Sequence, residues 1–302
     1  MKRPSRDPGE KIKYLLRREI NYGCPIRYQD GSGCGCPILT FHHFDPPWIG
    51  NYFHNPDGMI ALCPEHHHQA DGGLWTNEQL RQFKKNPFVD DSLRIQWPWQ
   101  PETLVMKVGP SLVMGSGSPI RLNGLPVLRF YPLMIEKFGE KTIVFDSDIR
   151  DANRNRWLRI SDGWFDLRLE GTTDVVFTPQ TKTIIARHND QTFISLRFQK
   201  YPIREFKEWV LSFMTKRETA ISAQNSVDRI GAIDRDGFVP VVIIEGKFRN
   251  EKVAVEITGD RMRFESFIPG LQEVFDFHSW VVDDVHRAIM KLKDGPEFFS
   301  LG

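Results

Sequence analysis

Cysteine is scarce in this sequence, and its few copies lie close together. The 302 residues include four cysteines, Cys24, Cys34, Cys36 and Cys63, all in the first quarter of the chain. A secreted protein stabilised by disulfides would spread its cysteines through the fold. Because several histidines lie beside these four, the pattern favours metal binding in a reducing cytosol over disulfide bonding.

Long apolar runs and a leader segment are also missing. No run of about 18 apolar residues occurs, so the sequence predicts no membrane span. No apolar segment of the kind found in signal peptides follows the first basic residues. We therefore expect a cytoplasmic protein that has no membrane partner.

A strong net charge is missing as well. The chain has 40 Lys and Arg against 39 Asp and Glu, a formal charge of +1, so any affinity for nucleic acid must come from local patches. Residues 1–20 form one such patch, with seven basic residues against three acidic ones. The patch is either a solvated tail or a surface that binds phosphate groups.

The length and the apolar pattern predict more than one domain. With 302 residues, 40% of them hydrophobic, the chain suits two domains or three small ones. Helical spacing predicts a helix over residues 9–20, and a possible capping box formed by Thr76 and Gln79 predicts another that ends near Lys85. Between them the chain is irregular, with short apolar runs at 38–41 and 59–62.

Beyond residue 110 the sequence is typical of a β-rich fold. Short β-like runs separated by turn residues recur from 111 to 198. We predict a helix over about 203–221, a β-hairpin of residues 238–245 and 252–258, and a final helix over about 279–292.

The first candidate metal site combines cysteines with one histidine. Cys63 and His66 are separated by two residues, a common zinc-binding spacing. Cys24 together with Cys34 or Cys36 would complete a tetrahedral site with three cysteines and one histidine. Because protein side chains would fill all four positions, such a zinc would be structural. The alternative is that these are buried thiols without a metal.

The second candidate site contains His42, His43, His67 and Asp71. Successive side chains of a strand point to opposite faces, so one of the two adjacent histidines can hold a metal while the other faces a phosphodiester. His67 and Asp71, four residues apart on a short helix, can bind one ion. Phosphodiester hydrolysis needs a base, a cation and assistance for the leaving oxygen, and this set can supply them.

The residues around the second set have less specific roles. His54 and His68 are predicted to be surface or packing residues. Trp48, Tyr52 and Phe53 would either wedge into a nucleic-acid groove or pack in a small core.

These motifs resemble the HNH endonucleases, and among them a bacterial subgroup with a zinc-stabilised N-terminal module. The resemblance covers about residues 9–90. The matching elements are a basic helix (Lys11–Ile20), Gly23-Cys24, Cys34-Gly35-Cys36-Pro37, His43, and the motif Leu62-Cys63-Pro64-Glu65-His66-His67.

The resemblance implies a role for each matching residue. His43 would be the general base. His42 and His67 would bind the catalytic Mg²⁺ or Mn²⁺, and Asp71 stands where many members have a third ligand. The structural Zn²⁺ would be bound by Cys24, Cys34, Cys63 and His66, with Cys36 as the alternative ligand.

One position departs from the family pattern. The asparagine that gives the family its middle letter normally lies five residues before the knuckle cysteine, where this chain has Gly58. The nearest asparagine is Asn55, which we expect to hold the loop through backbone hydrogen bonds from a shifted position and count among the catalytic residues.

The fold implied is of the α+β class, a small zinc-stabilised ββα-metal module followed by a larger β-rich domain with a few helices. We divide the chain into four parts. Residues 1–90 form the nuclease module with its basic helix, and 91–105 a linker rich in Pro and Trp. Residues 106–214 form a β-rich domain of unknown role, and 215–302 an α/β part, which can be continuous with it.

The function implied is hydrolysis of DNA phosphodiester bonds, in a phage-defence or restriction-type effector. Lys11, Lys13, Arg17 and Arg18 would contact DNA phosphates. The β-rich domain would bind a second copy of the chain or a partner protein of a defence system. Two rival hypotheses are a catalytically inactive, zinc-stabilised protein that binds DNA or a partner, and an interaction protein in which the β-rich domain is the functional part.

Overall fold

The computed structural model describes most of the chain. The described residues are 4–88, 90–97, 101, 104–109, 111–114, 117–122, 125–135, 140–153, 155–178, 182–189, 191–213, 236–249, 253–259, 261–266, 274–276, 280–282, 288–289 and 300–301. The chain divides into two compact units. The first unit comprises Met1–Ile95, Asp166–Gln180 and Ile184–Asn189, and the second comprises Gln96–Phe165, Thr181–Thr183 and Asp190–Gly302.

Strands outnumber helices in the described part of the chain. Up to Gln96 the elements are α1 (Glu10–Glu19), β1 (Thr40–His43), α2 (Trp48–Asn51), a 3-10 turn (Pro56–Gly58), β2 (Met59–Leu62), α3 (Pro64–Asp71), α4 (Asn77–Lys85) and β3 (Ser92–Gln96). The rest are β4 (Val105–Val108), β5 (Ser111–Met114), β6 (Gly117–Leu122), β7 (Leu125–Ile135), β8 (Glu140–Arg150), β9 (Arg156–Ser161), β10 (Trp164–Arg168), β11 (Thr172–Thr178), β12 (Thr183–His188), β13 (Phe193–Pro202), α5 (Ile203–Phe213), β14 (Phe238–Arg249), β15 (Val253–Thr258), β16 (Arg261–Ser266), β17 (Val274–Asp276), β18 (Trp280–Val282), β19 (Ala288–Ile289) and β20 (Ser300–Leu301). The predicted mixed α+β class, mostly sheet with few helices, is confirmed.

The core of the first unit is built on the two faces of β2. This strand pairs antiparallel with β1, so that Thr40 lies opposite Leu62 and His43 opposite Met59. Met59 and Ala61 pack in one cluster with α1, whereas Ile60 and Leu62 pack in the other. Strand side chains alternate between faces, and a fully apolar β2 therefore carries helices on both sides.

The two predicted helices of the first unit are present. Leu16 of α1 and Ile20, which directly follows the helix, are 1% exposed and pack on β2. At the start of α4 the Gln79 backbone N–H donates to Thr76 Oγ1 at 3.2 Å, and the Thr76 N–H donates to Gln79 Oε1 at 2.9 Å. This capping box satisfies two backbone donors that a helix start leaves without partners.

In the second unit, antiparallel pairing dominates. Strands β6 to β9 form one antiparallel series, and β13 to β17 form another, within which β14 and β15 are the predicted hairpin. Strand β4 runs parallel to β14 and antiparallel to β5. No helix among the described residues is long and apolar enough to cross a membrane.

One expectation is corrected, whereas the predicted linker stays a prediction. The segment 91–105 contains β3, where Leu93 is 4% exposed. The helix predicted over 279–292 is wrong for 280–282, because the run Trp280–Val282, aromatic and β-branched, pairs in parallel with β5 as β18. Residues 288–289 are also in a strand, and the remainder of that segment lies outside the described residues, as do residues 214–221 of the helix predicted over 203–221.

Candidate metal centre

Three cysteines and one histidine converge in the first unit. His66 Nδ1 lies 3.3 Å from both Cys24 Sγ and Cys63 Sγ, and the Sγ atoms of Cys34 and Cys63 are 3.8 Å apart. A tetrahedral zinc with Zn–S bonds of about 2.3 Å and a Zn–N bond of about 2.05 Å separates its sulfur ligands by about 3.8 Å and sulfur from nitrogen by about 3.6 Å. The four side chains therefore fit a metal such as zinc.

Local backbone geometry brings these ligands together. Backbone hydrogen bonds from Cys24 N to Cys36 O (2.9 Å) and from Cys34 N to Ile26 O (2.9 Å) fold residues 24–36 into a hairpin. The turn of this hairpin lies between Cys24 and Cys34, so the two cysteines lie side by side. Cys63 immediately precedes α3, and His66 lies in its first turn.

The structure favours Cys34 over Cys36 as the fourth ligand. The clustered donor atoms belong to Cys24, Cys34, Cys63 and His66, which all lie within 4.8 Å of one another. Cys36 Sγ is instead 4.0 Å from the carbonyl oxygen of Ile38. Hydrogen bonds with the thiols of Cys24 and, next, Cys34 hold the pKa of the Cys63 thiol far below its usual range, so a thiolate is available for a metal.

A second group of metal-binding side chains consists of His42, His67 and Asp71. His42 Nδ1 is 3.1 Å from Asp71 Oδ1, and His67 Nε2 is 3.6 Å from Asp71 Oδ2. Both nitrogen atoms are buried, and neither has a hydrogen-bond partner of good geometry in the described part of the chain. A buried polar atom without a partner costs about 1–3 kcal/mol. Metal-ligand atoms that lie close together and form no hydrogen bonds are the arrangement expected when side chains are directed toward one cation.

Thr40 sets the protonation pattern of His67. The Thr40 hydroxyl donates to Leu62 O at 3.1 Å, so its oxygen accepts the hydrogen bond from His67 Nδ1 at 2.7 Å. The proton of neutral His67 then resides on Nδ1, and Nε2 has a free lone pair directed toward Asp71.

Burial keeps both histidines neutral. It is the main cause that lowers the pKa of His42 and of His67, and it outweighs the Asp71 carboxylate, which raises both pKa values. Metal ligation requires neutral imidazole, so these residues are in the required state at neutral pH. The Arg6 guanidinium lies 3.6 Å from Asp71 Oδ1. No spacing in the sequence predicts this contact between residues 6 and 71.

His43 has different neighbours from His42. It is 4% exposed, and its ring centroid lies 5.0 Å from that of Trp48. Its Nε2 is 3.0 Å from Nδ1 of His54, while its Nδ1 is buried without a hydrogen-bond partner among the described residues. Burial, followed by the charge of His54, lowers the pKa of His43 to about 4, so His43 is neutral at pH 7. The contact with His54 was not predicted, since no spacing relates residues 43 and 54.

The Asn55 side chain forms hydrogen bonds with the backbone near both ends of the loop between β1 and β2. Its Nδ2 donates to Asp45 O at 3.4 Å, and its Oδ1 accepts from Asp57 N at 3.3 Å. Gly58 is where the family asparagine would stand. A Cβ there would lie 1.4 Å from Asp45 O, so the tight loop admits only glycine. Its carbonyl also accepts hydrogen bonds from Phe44 N and Asp45 N at 2.9 and 3.0 Å.

The four predicted DNA contacts on α1 differ in exposure. Arg17 is 6% exposed and binds Asp174, with Nη2 3.0 Å from Oδ1, so it faces the interior of the unit. Lys13 pairs with Asp7 at 2.6 Å. Lys11 and Arg18 are exposed, and these two have the accessibility that a phosphate contact needs.

The aromatic residues of the β1–β2 loop are divided between core and surface. Trp48 is 8% exposed and packs edge-to-face with Tyr52, whereas Phe53 is 51% exposed. His68 lies on the exposed side of α3, as predicted.

Comparisons with protein-family models, with curated proteins and with solved structures found no match. The family resemblance therefore rests on the sequence motifs alone.

Proposed function

We propose that the protein is a metal-dependent DNA endonuclease of the HNH kind, with β1, β2 and α3 as its ββα-metal module. The observation that carries the proposal is the convergence of donor atoms from His42, His67 and Asp71, beside the strand that also holds His43. A cation with few protein ligands and a neutral imidazole are what phosphodiester hydrolysis requires.

The metal-binding group and His43 have different tasks in this reaction. His42, His67 and Asp71 would hold the cation, which supplies charge stabilisation at the phosphoryl oxygens and at the leaving oxygen when bound. His43 accepts a proton from water at Nδ1 while the water oxygen bonds to phosphorus and the bond from phosphorus to the leaving oxygen breaks. The leaving oxygen takes up a proton from solvent.

The donor set also bears on which metal serves best. Magnesium prefers oxygen ligands, whereas imidazole suits transition metals. Two imidazoles and one carboxylate therefore favour Mn²⁺ over Mg²⁺ as the catalytic ion. We propose that the cluster of Cys24, Cys34, Cys63 and His66 holds a structural Zn²⁺, because four protein ligands leave no position for water.

The chief rival is a zinc-stabilised DNA-binding protein without catalysis, for which Gly58 would be a sign of lost function. The tight approach of Asp45 O accounts for Gly58 on steric grounds, and Asn55 supplies backbone hydrogen bonds in the same loop. Gly58 therefore gives no support to the rival. A defence role and a partner of the β-rich domain stay predictions.

The nuclease proposal is tested with supercoiled plasmid DNA. Purified protein is incubated with Mg²⁺ or Mn²⁺, beside His43→Ala and a matched control, His68→Ala, which removes an exposed histidine of α3. We expect nicked or linear DNA from wild type and from the control, faster with Mn²⁺, and a loss of at least about 100-fold in His43→Ala, the scale of general-base catalysis.

Two outcomes would contradict the proposal. If wild type and His43→Ala leave the plasmid equally intact with every metal, while both bind DNA, the inactive DNA-binding hypothesis is favoured. If both cleave equally fast, His43 is not the base.

A further inference from the structure

His54 lies on the loop between α2 and the 3-10 turn, and its ring reaches the end of β1. Its Nδ1 is 3.0 Å from His43 Nε2, which is a normal hydrogen-bond distance. The two ring centroids are 5.2 Å apart with planes inclined by 37°. Imidazole nitrogens lie in the ring plane, so this contact constrains the orientation of both rings.

Trp48 holds the His54 ring in place. The two rings stack with centroids 5.0 Å apart and planes 23° apart. Trp48 itself is 8% exposed and packs against Tyr52 at 5.8 Å, so the indole is supported from another side. Stacking on a buried indole restricts rotation of the His54 ring, which favours the orientation that contacts His43.

A hydrogen bond between two neutral imidazoles needs one N–H and one lone pair. If His43 donates from Nε2, its Nδ1 has the lone pair. If His54 donates from Nδ1, the proton of neutral His43 resides on its own Nδ1, which then cannot accept another. Only the first arrangement lets His43 serve as a base at Nδ1.

We propose that His54 is a positioning residue whose Nδ1 accepts the Nε2 proton of His43 and so keeps the His43 Nδ1 lone pair free to take a proton from water. The inference rests on the proposed function, in which His43 is the general base. In many functional histidines, a hydrogen-bond acceptor at one ring nitrogen selects the tautomer and so leaves the other nitrogen unprotonated. The inference assigns this task to His54.

Two substitutions separate the acceptor from the ring. His54→Asn retains an acceptor, because Asn Oδ1 can occupy nearly the position of His Nδ1, but it loses the ring that stacks on Trp48. His54→Phe retains the stacked ring and loses the acceptor. His68→Ala serves again as a matched control for loss of a histidine.

The first measurement is independent of activity. Nitrogen-15 correlation spectra of the histidine rings in the full-length, zinc-loaded protein report which nitrogen of His43 carries the proton, with His43→Ala for assignment. We expect Nε2–H in wild type, in His54→Asn and in the control, and a shift toward Nδ1–H or a mixture in His54→Phe.

The second measurement is the kinetics of plasmid nicking. We expect His54→Phe to lower kcat by about 10- to 100-fold with KM little changed, the usual range for loss of a residue that orients a functional histidine. His54→Asn is expected to recover most of kcat. A purely structural role predicts the opposite order, because Phe preserves the packing and Asn does not.

The outcomes distinguish the inference from the function on which it rests. Nδ1–H at His43 in wild type, or an unchanged tautomer and kcat in His54→Phe, overturns the role of His54. Failure of wild type to cut DNA overturns the nuclease proposal instead, while the spectra still decide whether His54 selects the tautomer. If His54→Phe does not fold, the wild-type spectrum and His54→Asn decide alone.

Discussion

Exchange of Cys34 for serine is expected to remove the proposed structural zinc, whereas the same exchange at Cys36 is not. The two cysteines are separated by Gly35 alone, and both are partly exposed, so the pair is closely matched in sequence and burial. Only Cys34 lies in the group with Cys24 and His66. The comparison therefore isolates metal ligation from the loss of a thiol.

The magnitude follows from what the metal and the core each contribute. A structural zinc contributes about 10–16 kcal/mol to the folding free energy of a small domain at pH 7. The hydrophobic core of a domain with fewer than about 70–80 residues contributes about 3–5 kcal/mol. The cluster packed around Ile60 and Leu62 contains eight buried residues, and Cys24 and Cys63 are two of them. Loss of the metal would therefore remove more free energy than this core can replace, and we expect the ββα segment to unfold.

The assay measures bound zinc per chain by mass spectrometry and follows thermal unfolding of the full-length protein. We expect about one zinc in wild type and in Cys36→Ser. Cys34→Ser should show little zinc and a separate unfolding transition at lower temperature. A Cys34→Ser protein that retains its zinc, or a Cys36→Ser protein that loses it, would refute the ligand assignment. A wild-type protein that is stable without zinc would refute the structural role altogether.

Two other substitutions test the metal site and the basic helix. Thr40→Val removes the hydroxyl oxygen that accepts the hydrogen bond from His67 Nδ1. We expect the affinity for Mn²⁺, measured by calorimetry, to fall by about 10- to 100-fold. An unchanged affinity would contradict the role of Thr40. Arg17→Met leaves the partly buried Asp174 without its main partner. We expect urea unfolding to show a loss of at most about 3 kcal/mol, the lower end of the range for buried pairs, because Asp174 is partly exposed and Arg187 lies 3.2 Å from the same carboxylate. Lys11→Met is the matched control and should leave stability nearly unchanged, so equal stability of the two variants would contradict the buried ion pair.

Local features of the site were predictable from sequence. The spacing of His67 and Asp71 places both on one face of a helix, and that of Cys63 and His66 places them together at its start, whatever the remainder of the chain does. The capping box at Thr76 and the period of α1 are local in the same sense. Helix geometry relates residues three or four apart, so a motif alone predicts such contacts.

Tertiary structure decided the contacts between distant residues. Arg17 contacts Asp174, which lies 157 residues further along the chain. His54 contacts His43 because of the path of the loop between them, which the sequence spacing does not predict. A basic residue on a predicted helix is expected in solvent, and a lone histidine in a loop is expected on the surface. Only the packing of the chain shows that the first is buried and that the second touches the proposed base.

The amino-acid sequence by itself determined the mixed α+β class, the predominance of strands and the candidate ligand types. It left the choice between Cys34 and Cys36 open, because both lie in the same short segment and either thiol matches the spacing. Only the hairpin register, set by hydrogen bonds such as that from Cys34 N to Ile26 O, directs Cys34 toward His66. Strand register decides which side chain faces a site, and it depends on the partner strand as much as on the residues themselves.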